Sequence, residues 1–208
     1  ASLIVMEIDA ATLDRAAAYK LMTGAIVPRP VAWITTKSEQ GIVNAAPYSA
    51  YTLISPDPPL IVFHSSRRNG DKDSARNIRA TGEFVINVAN EDLLQQMHLS
   101  SATLPPEMSE PAEFGIELIE SVTVAPPRIK ASPICFECKL EQMFDVGNEP
   151  HTLIIGQIMH FYVADHLYQN GRIDQEKLRP VARIGGPTYA RLGEFIHLPP
   201  PAGYRSDA

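Results

Sequence analysis

Short runs of alternating apolar and polar residues, broken by proline and glycine, dominate the chain. Val31 to Thr36 reads as a strand, and Pro28 and Pro30 ahead of it force an extended approach. Ser38 to Gly41 is a turn and Ile42 to Ala46 begins a second strand, which together predict a hairpin. Tyr48 to Ile54 alternates again. Three prolines within Pro56 to Pro59 make Ser55 to Pro59 a loop. Leu60 to His64 and Phe84 to Val88 are short, continuous apolar strands. Between them, Asp73 to Ala80 is helical and Thr81-Gly82 stops it. Helices are also predicted over residues 12–22 and 91–99. Further strands are expected near residues 116–124, 133–145 and 151–163. A Pro- and Ser-rich stretch, residues 100–114, reads as a long excursion or lid within one domain. Strands outnumber helices in the core, so a barrel is expected rather than a doubly wound sheet.

Composition narrows the class. The chain has 208 residues, 45% hydrophobic and 20% charged, which is globular. No apolar run approaches the about 18 residues needed to span a bilayer, and the opening ASLIVMEIDA lacks a basic region and a cleavage signal. A soluble cytoplasmic protein with no membrane partner is expected. The net charge of -6 disfavours nucleic acid as a partner. Cys135 and Cys138 form a CxxC, but the surrounding alternation places Ile134, Phe136, Cys138 and Leu140 on one strand face. Two thiols three residues apart on a strand then diverge, and no second ligand pair completes a metal site.

The chemistry concentrates in two loops. Ser65, Ser66, Arg67, Arg68, Lys72, Asp73 and Ser74 precede or open the predicted helix at residue 73, where free N–H groups and the dipole favour an anion. Taken alone, the same cluster also fits solvated surface charge with Asp73 or Ser74 as a cap. The loop NAAPYSAY offers small residues for close approach of a flat ligand, with Tyr48 and Ser49 supplying a ring and a hydroxyl. A plain turn at a barrel rim fits it too. No glycine-rich dinucleotide fingerprint and no nucleophile–base arrangement is present, so a bound cofactor must carry any redox reaction.

The order of these pieces is informative. PRPVAWITT, then G-x-x-N-A-A-P-Y-S, then S-P-D-P-P-L-I-V-F, then K-D-S-A-R-N-I-x-x-T-G-E-F-V-I-N-V resembles the flavin reductase-like family of FMN-binding split barrels, within it the flavoredoxin-type branch. FDVGNEPHTLIIGQI and RIGGPTYARLGEF extend the resemblance over about residues 20–197 of a single domain. It implies a mainly β fold, a six-stranded antiparallel Greek-key split β-barrel with a few peripheral helices. It implies a homodimer with FMN near the subunit interface. Asn44, Ala45, Ala46, Pro47, Tyr48 and Ser49 would line the ring and ribityl chain, with backbone N–H groups of Ala46 to Tyr48 near the ring. Ser65, Ser66, Arg67, Lys72, Asp73 and Ser74 would form the phosphate end. Arg29, Pro30, Thr35 and Thr36 would flank the ring, His151 would sit on the nicotinamide side, and Tyr189 would close the pocket. Two departures stand out: Lys-Asp-Ser replaces the family's Lys-Asp-Thr, and Asn148-Glu149-Pro150 separates Gly147 from His151. The implied activity is hydride transfer from NADH or NADPH to FMN and on to free flavin, a partner oxygenase or another acceptor. The alternatives are an electron carrier with no nicotinamide site, and a barrel for another phosphorylated ligand.

Overall fold

The computed structural model describes residues 5–204. Residues 1–4, at the head of the segment read as lacking a secretory signal, and residues 205–208 lie outside the described residues. Seven strands make the main sheet: β1 (Ala32–Lys37), β2 (Val43–Tyr48), β3 (Tyr51–Pro56), β4 (Pro59–Ser66), β5 (Glu83–Val88), β6 (Ile134–Val146) and β7 (His151–Val163). Their spatial order is β2-β1-β5-β6-β7-β4-β3, and every pairing is antiparallel. The mainly β, split-barrel expectation holds, with one strand more than the six expected.

β2 and β3 are joined by Ser49 and Ala50 alone, yet they form opposite edges of this sheet. Two residues span only a few ångströms, so the sheet must curl until its edges nearly meet. His64 N–H donates to the Ala50 carbonyl at 3.1 Å, which carries the β3–β4 ladder into the short link. The result is a barrel left open along one line.

Side chains alternate across the strands as the pleat requires. On β1, Ala32 and Ile34 enter the barrel core with Ile61, Phe63, Phe84, Ile86, Cys138 and Ile154. Trp33 faces the other way, into a second cluster with Leu93, Met97, Ile116 and Ile129. One helix, α1 (Arg15–Ala25), buries none of its residues; Asp14 caps it by accepting from Ala17 N–H at 2.7 Å. Another, α2 (Asp73–Thr81), plugs the barrel end with Ala75 and Ile78 and stops at Gly82, which adopts the left-handed conformation that glycine tolerates.

Some expectations need correction. The expected loop at Ser55 to Pro59 is a tight hairpin turn, with Pro56 ending β3 and Pro59 opening β4. Proline is tolerated there because β3 is an edge strand. The strand expected near 116–124 shrinks to Leu118–Ile119. The chain beyond it turns instead, its backbone bonded to the buried Glu137 carboxylate by Val122 N–H at 2.8 Å and Thr123 N–H at 2.6 Å. The helix expected over 91–99 is one 3₁₀ turn followed by α3 (Leu94–Leu99). Cys135 and Cys138 are free and buried, Cys138 in the barrel core and Cys135 beside Val85 and Val124 on the opposite face.

Two outcomes test this packing. A Cβ on Gly156 would stand 2.3 Å from Phe84 Cζ and 2.8 Å from Cε1, and Phe84 is fully buried. Gly156→Ala is therefore expected to cost about 1–3 kcal/mol in chemical denaturation; an unchanged midpoint would show that the Phe84 ring has room to move. Burial pushes the Cys135 thiol up to about 11 and the Cys138 thiol higher still. Because the thiolate is the reactive form, native protein at pH 8 is expected to resist iodoacetamide at both cysteines and to react fully once denatured. Rapid labelling of the native chain, read by mass spectrometry, would contradict this placement.

Candidate functional site

The end of the barrel that α2 plugs gathers most of the residues singled out in the sequence. Asn44 projects from β2 to the first turn of α2, where Ser74 Oγ donates to Asn44 Oδ1 at 2.7 Å. Asn77, one turn on, donates to Thr36 Oγ1 at 3.0 Å. Tyr48 lies beside the hydroxyls of Ser74 and Ser65; burial raises its phenol above the ordinary tyrosine range, and those two hydroxyls oppose the rise. Neither the Tyr48 hydroxyl nor Ser65 Oγ has a hydrogen-bond partner, although both are buried. Lys72 Nζ stands 5.9 Å from the centre of the Tyr48 ring.

Lys72 is the residue before α2, and no side chain caps the helix there. The first-turn N–H groups of this nine-residue helix therefore keep their positive end open. The neighbouring cations differ in how far they are neutralised. Arg67 lies between Asp71, at 2.6 Å, and Asp145. Arg76 pairs with Asp73, and Arg79 approaches Asp71 at 3.4 Å. Among the described residues, neither Lys72 nor Arg68 takes part in such an ion pair. Ser66 Oγ accepts from Arg68 N–H at 3.3 Å and so shapes the loop.

A residue the sequence did not single out completes the cluster. Glu110, on a short helical turn (Glu110–Glu113) of the 100–114 excursion, is 3% exposed. Asn44 Nδ2 donates to both of its oxygens at 2.9 Å, and Ala45 N–H donates to Oε2 at 3.1 Å. Burial pushes the Glu110 carboxyl above its ordinary range, while the Ala45 and Asn44 hydrogen bonds pull it back. Beside it, Ser109 Oγ donates to the Val43 carbonyl at 2.6 Å. The excursion thus covers the free edge of β2. Val43 and Ala45 are its outward-facing positions, and Pro47, the next, has no N–H. Alternation turns the N–H groups of Ala46 and Tyr48 toward β1, away from the ligand-facing role expected of them, and Ser49 becomes the first residue past the ladder.

The other singled-out residues lie elsewhere. Thr35 points opposite to Thr36, with Oγ1 donating to the Pro127 carbonyl at 2.6 Å and accepting from Asn87 at 3.2 Å. Arg29 ties down the end of α1, donating to the carbonyls of Thr23, Ile26 and Ile184 at 2.8, 2.6 and 2.7 Å. Pro30 pairs with Ala182, and Tyr189 packs on the Trp33 cluster between His98, at 3.2 Å, and Arg183. His151 opens β7 opposite Ser66, so it borders the basic loop. Its ring meets His64 edge-on, centroids 5.1 Å apart. Residues 147–150 form the turn before it, and the Pro150 carbonyl accepts from Arg67 N–H at 3.1 Å.

Residues 23–177 match the family model of the flavin reductase like domain. The chain belongs to the flavin reductase-like family. It is 41% identical over 202 residues to the uncharacterized protein BH2278 of Halalkalibacterium halodurans, covering 94% of this chain and 97% of that one. Among solved structures it resembles nitrilotriacetate monooxygenase component B from Bacillus cereus, with 37% identity, a TM-score of 0.92, and 95% and 100% of the two chains covered. It also resembles the 2-nitrobenzoate 2-nitroreductase NbaA of Pseudomonas fluorescens, with 33% identity, a TM-score of 0.83, and 98% and 100% covered. All three match nearly end to end.

Proposed function

We propose that this chain is an FMN-binding oxidoreductase that takes hydride from NADH or NADPH and passes electrons to an acceptor. The observation that carries the reading is the uncapped start of α2, with Lys72 free of acid partners and two buried hydroxyls, Tyr48 and Ser65, lacking partners beside it. Helix N–H groups, an ammonium and hydroxyl donors are the set that a phosphate monoester requires. The residues present therefore fit the phosphate of FMN. The family membership, and the reductase and monooxygenase-component names of its relatives, support the redox half of the reading.

When bound, FMN supplies the ring that accepts and releases the electrons. The chain's share is placement. Lys72 and the first turn of α2 hold the phosphate, with Ser66 and Arg68 at its outer side. Ser74 is buried and its proton is committed to Asn44, so it contributes its backbone N–H. Asn44 to Ser49 bring the small-residue edge of the barrel against the ring, and His151, beside Ser66, stands at the rim where the nicotinamide enters. Two apolar groups on one side of the molecule favour a homodimer: Met22, Ile26 and Val27 around the end of α1, and Leu53 and Ile54 on β3, all exposed. The Arg29–Pro30 segment that follows α1 touches β3, which joins the two groups. A face of this kind marks an interaction surface, and it lies next to the seam. A partner oxygenase is the acceptor most in keeping with the Bacillus cereus relative, and the cytoplasm is the expected compartment.

Anaerobic mixing of FMN-loaded protein with NADH or NADPH is expected to bleach the flavin absorbance with at least one of them. Failure with both would leave an FMN-binding electron carrier. Lys72→Ala is expected to weaken FMN by about 1.5–3 kcal/mol, the worth of one charge-assisted bond. Unchanged affinity in a fluorescence titration would place the phosphate elsewhere.

A further inference from the structure

Among the described residues, Glu110 is the carboxylate buried with the polar groups of the barrel end, and it takes no part in the phosphate set. Its surroundings give it a specific task. A carboxylate only accepts hydrogen bonds, and both Glu110 oxygens face Asn44 Nδ2. The Asn44 amide is thereby fixed in one orientation, because the flipped form would set its carbonyl oxygen against the carboxylate. Asn44 Oδ1 must then face Ser74, and Ser74 Oγ must donate to it. One charge thus sets the direction of every hydrogen bond from the edge of β2 to the first turn of α2.

The same carboxylate binds Ala45 N–H, and the preceding residue binds the Val43 carbonyl. Glu110 is buried, and each of its oxygens already accepts a hydrogen bond from β2. Its geometry suits positioning rather than proton transfer.

We propose that Glu110 is a positioning residue: acting through Asn44, it holds the β2 edge and the start of α2 at the separation that FMN requires. This rests on the flavin reading of the same site. It also gives the 100–114 excursion a role, as the arm that delivers the carboxylate.

A double-mutant cycle on FMN affinity tests it. Titrations are compared for the wild type, Asn44→Ala, Glu110→Ala and the double variant, and repeated with Glu110→Gln, which keeps the volume and a single carbonyl acceptor should the alanine form not fold. Each single change is expected to weaken FMN about tenfold or more, and the double variant no further than the weaker single one, because the two residues act as one unit. Glu110→Gln is expected to lose affinity while keeping a native near-ultraviolet circular dichroism spectrum. Losses that add, or a Glu110→Gln variant that binds FMN like the wild type, would overturn the proposal and leave the flavin reading standing. A wild-type protein that takes up no FMN would overturn the flavin reading itself, and this proposal with it.

Discussion

Ser49 and Ala50 join two strands that stand at opposite edges of one sheet, and a link of that length dictates how the sheet curls. The edges come close without pairing along their length, which leaves β2 with backbone groups that no strand satisfies. Unpaired edge groups are costly when buried and invite association when exposed. In this chain the 100–114 excursion resolves the problem on one side of β2, through Ser109 and Glu110. The residues beyond Pro47 remain at the seam, where the chain changes from β2 to β3.

The polar cluster at the barrel end follows from that arrangement. Taking a carboxylate out of water costs several kcal/mol. Charge-assisted hydrogen bonds to it contribute about 1.5–3 kcal/mol each, so the three that Glu110 accepts offset a large part of the cost. Such a group persists where it organises its neighbours. Its neighbours here are Asn44, Ser74 and Tyr48, which link the strand edge to the helix start. The cations sort in the same way. Arg67 is bound to two acids and braces the loop against the 147–150 turn, whereas Lys72 is left over the Tyr48 ring at the open helix end. A curled edge, a plugged barrel end and an ammonium without an acid partner thus come together in one place, and the proposed phosphate and ring site rests on that arrangement.

The strands of this fold were legible because each has one face in the core: Ala32 and Ile34 against Trp33, or Cys138 against Cys135, are separated by the pleat alone. The basic loop and the helix at residue 73 were legible for a similarly local reason, since charge and capping act over a few residues. Thr35 and Thr36 were grouped as ring neighbours although alternation already sends them to opposite faces. Glu110 carried no local signal. It sits in a Pro- and Ser-rich stretch and meets Asn44 from 66 residues away, so only the tertiary path of the excursion reveals it. The bracing role of Arg29 has no local signal either: the carbonyls it binds at Thr23, Ile26 and Ile184 become neighbours only in the folded chain.

The most direct test of the site is a crystal structure of the FMN complex, read at the phosphorus atom. The phosphate is expected within hydrogen-bond distance of Lys72 Nζ and the first-turn N–H groups of α2, with the ring running toward Asn44 to Ser49. A phosphate bound instead beside Arg183 and Tyr189, on the far side of β1, would contradict the assignment of this end of the barrel.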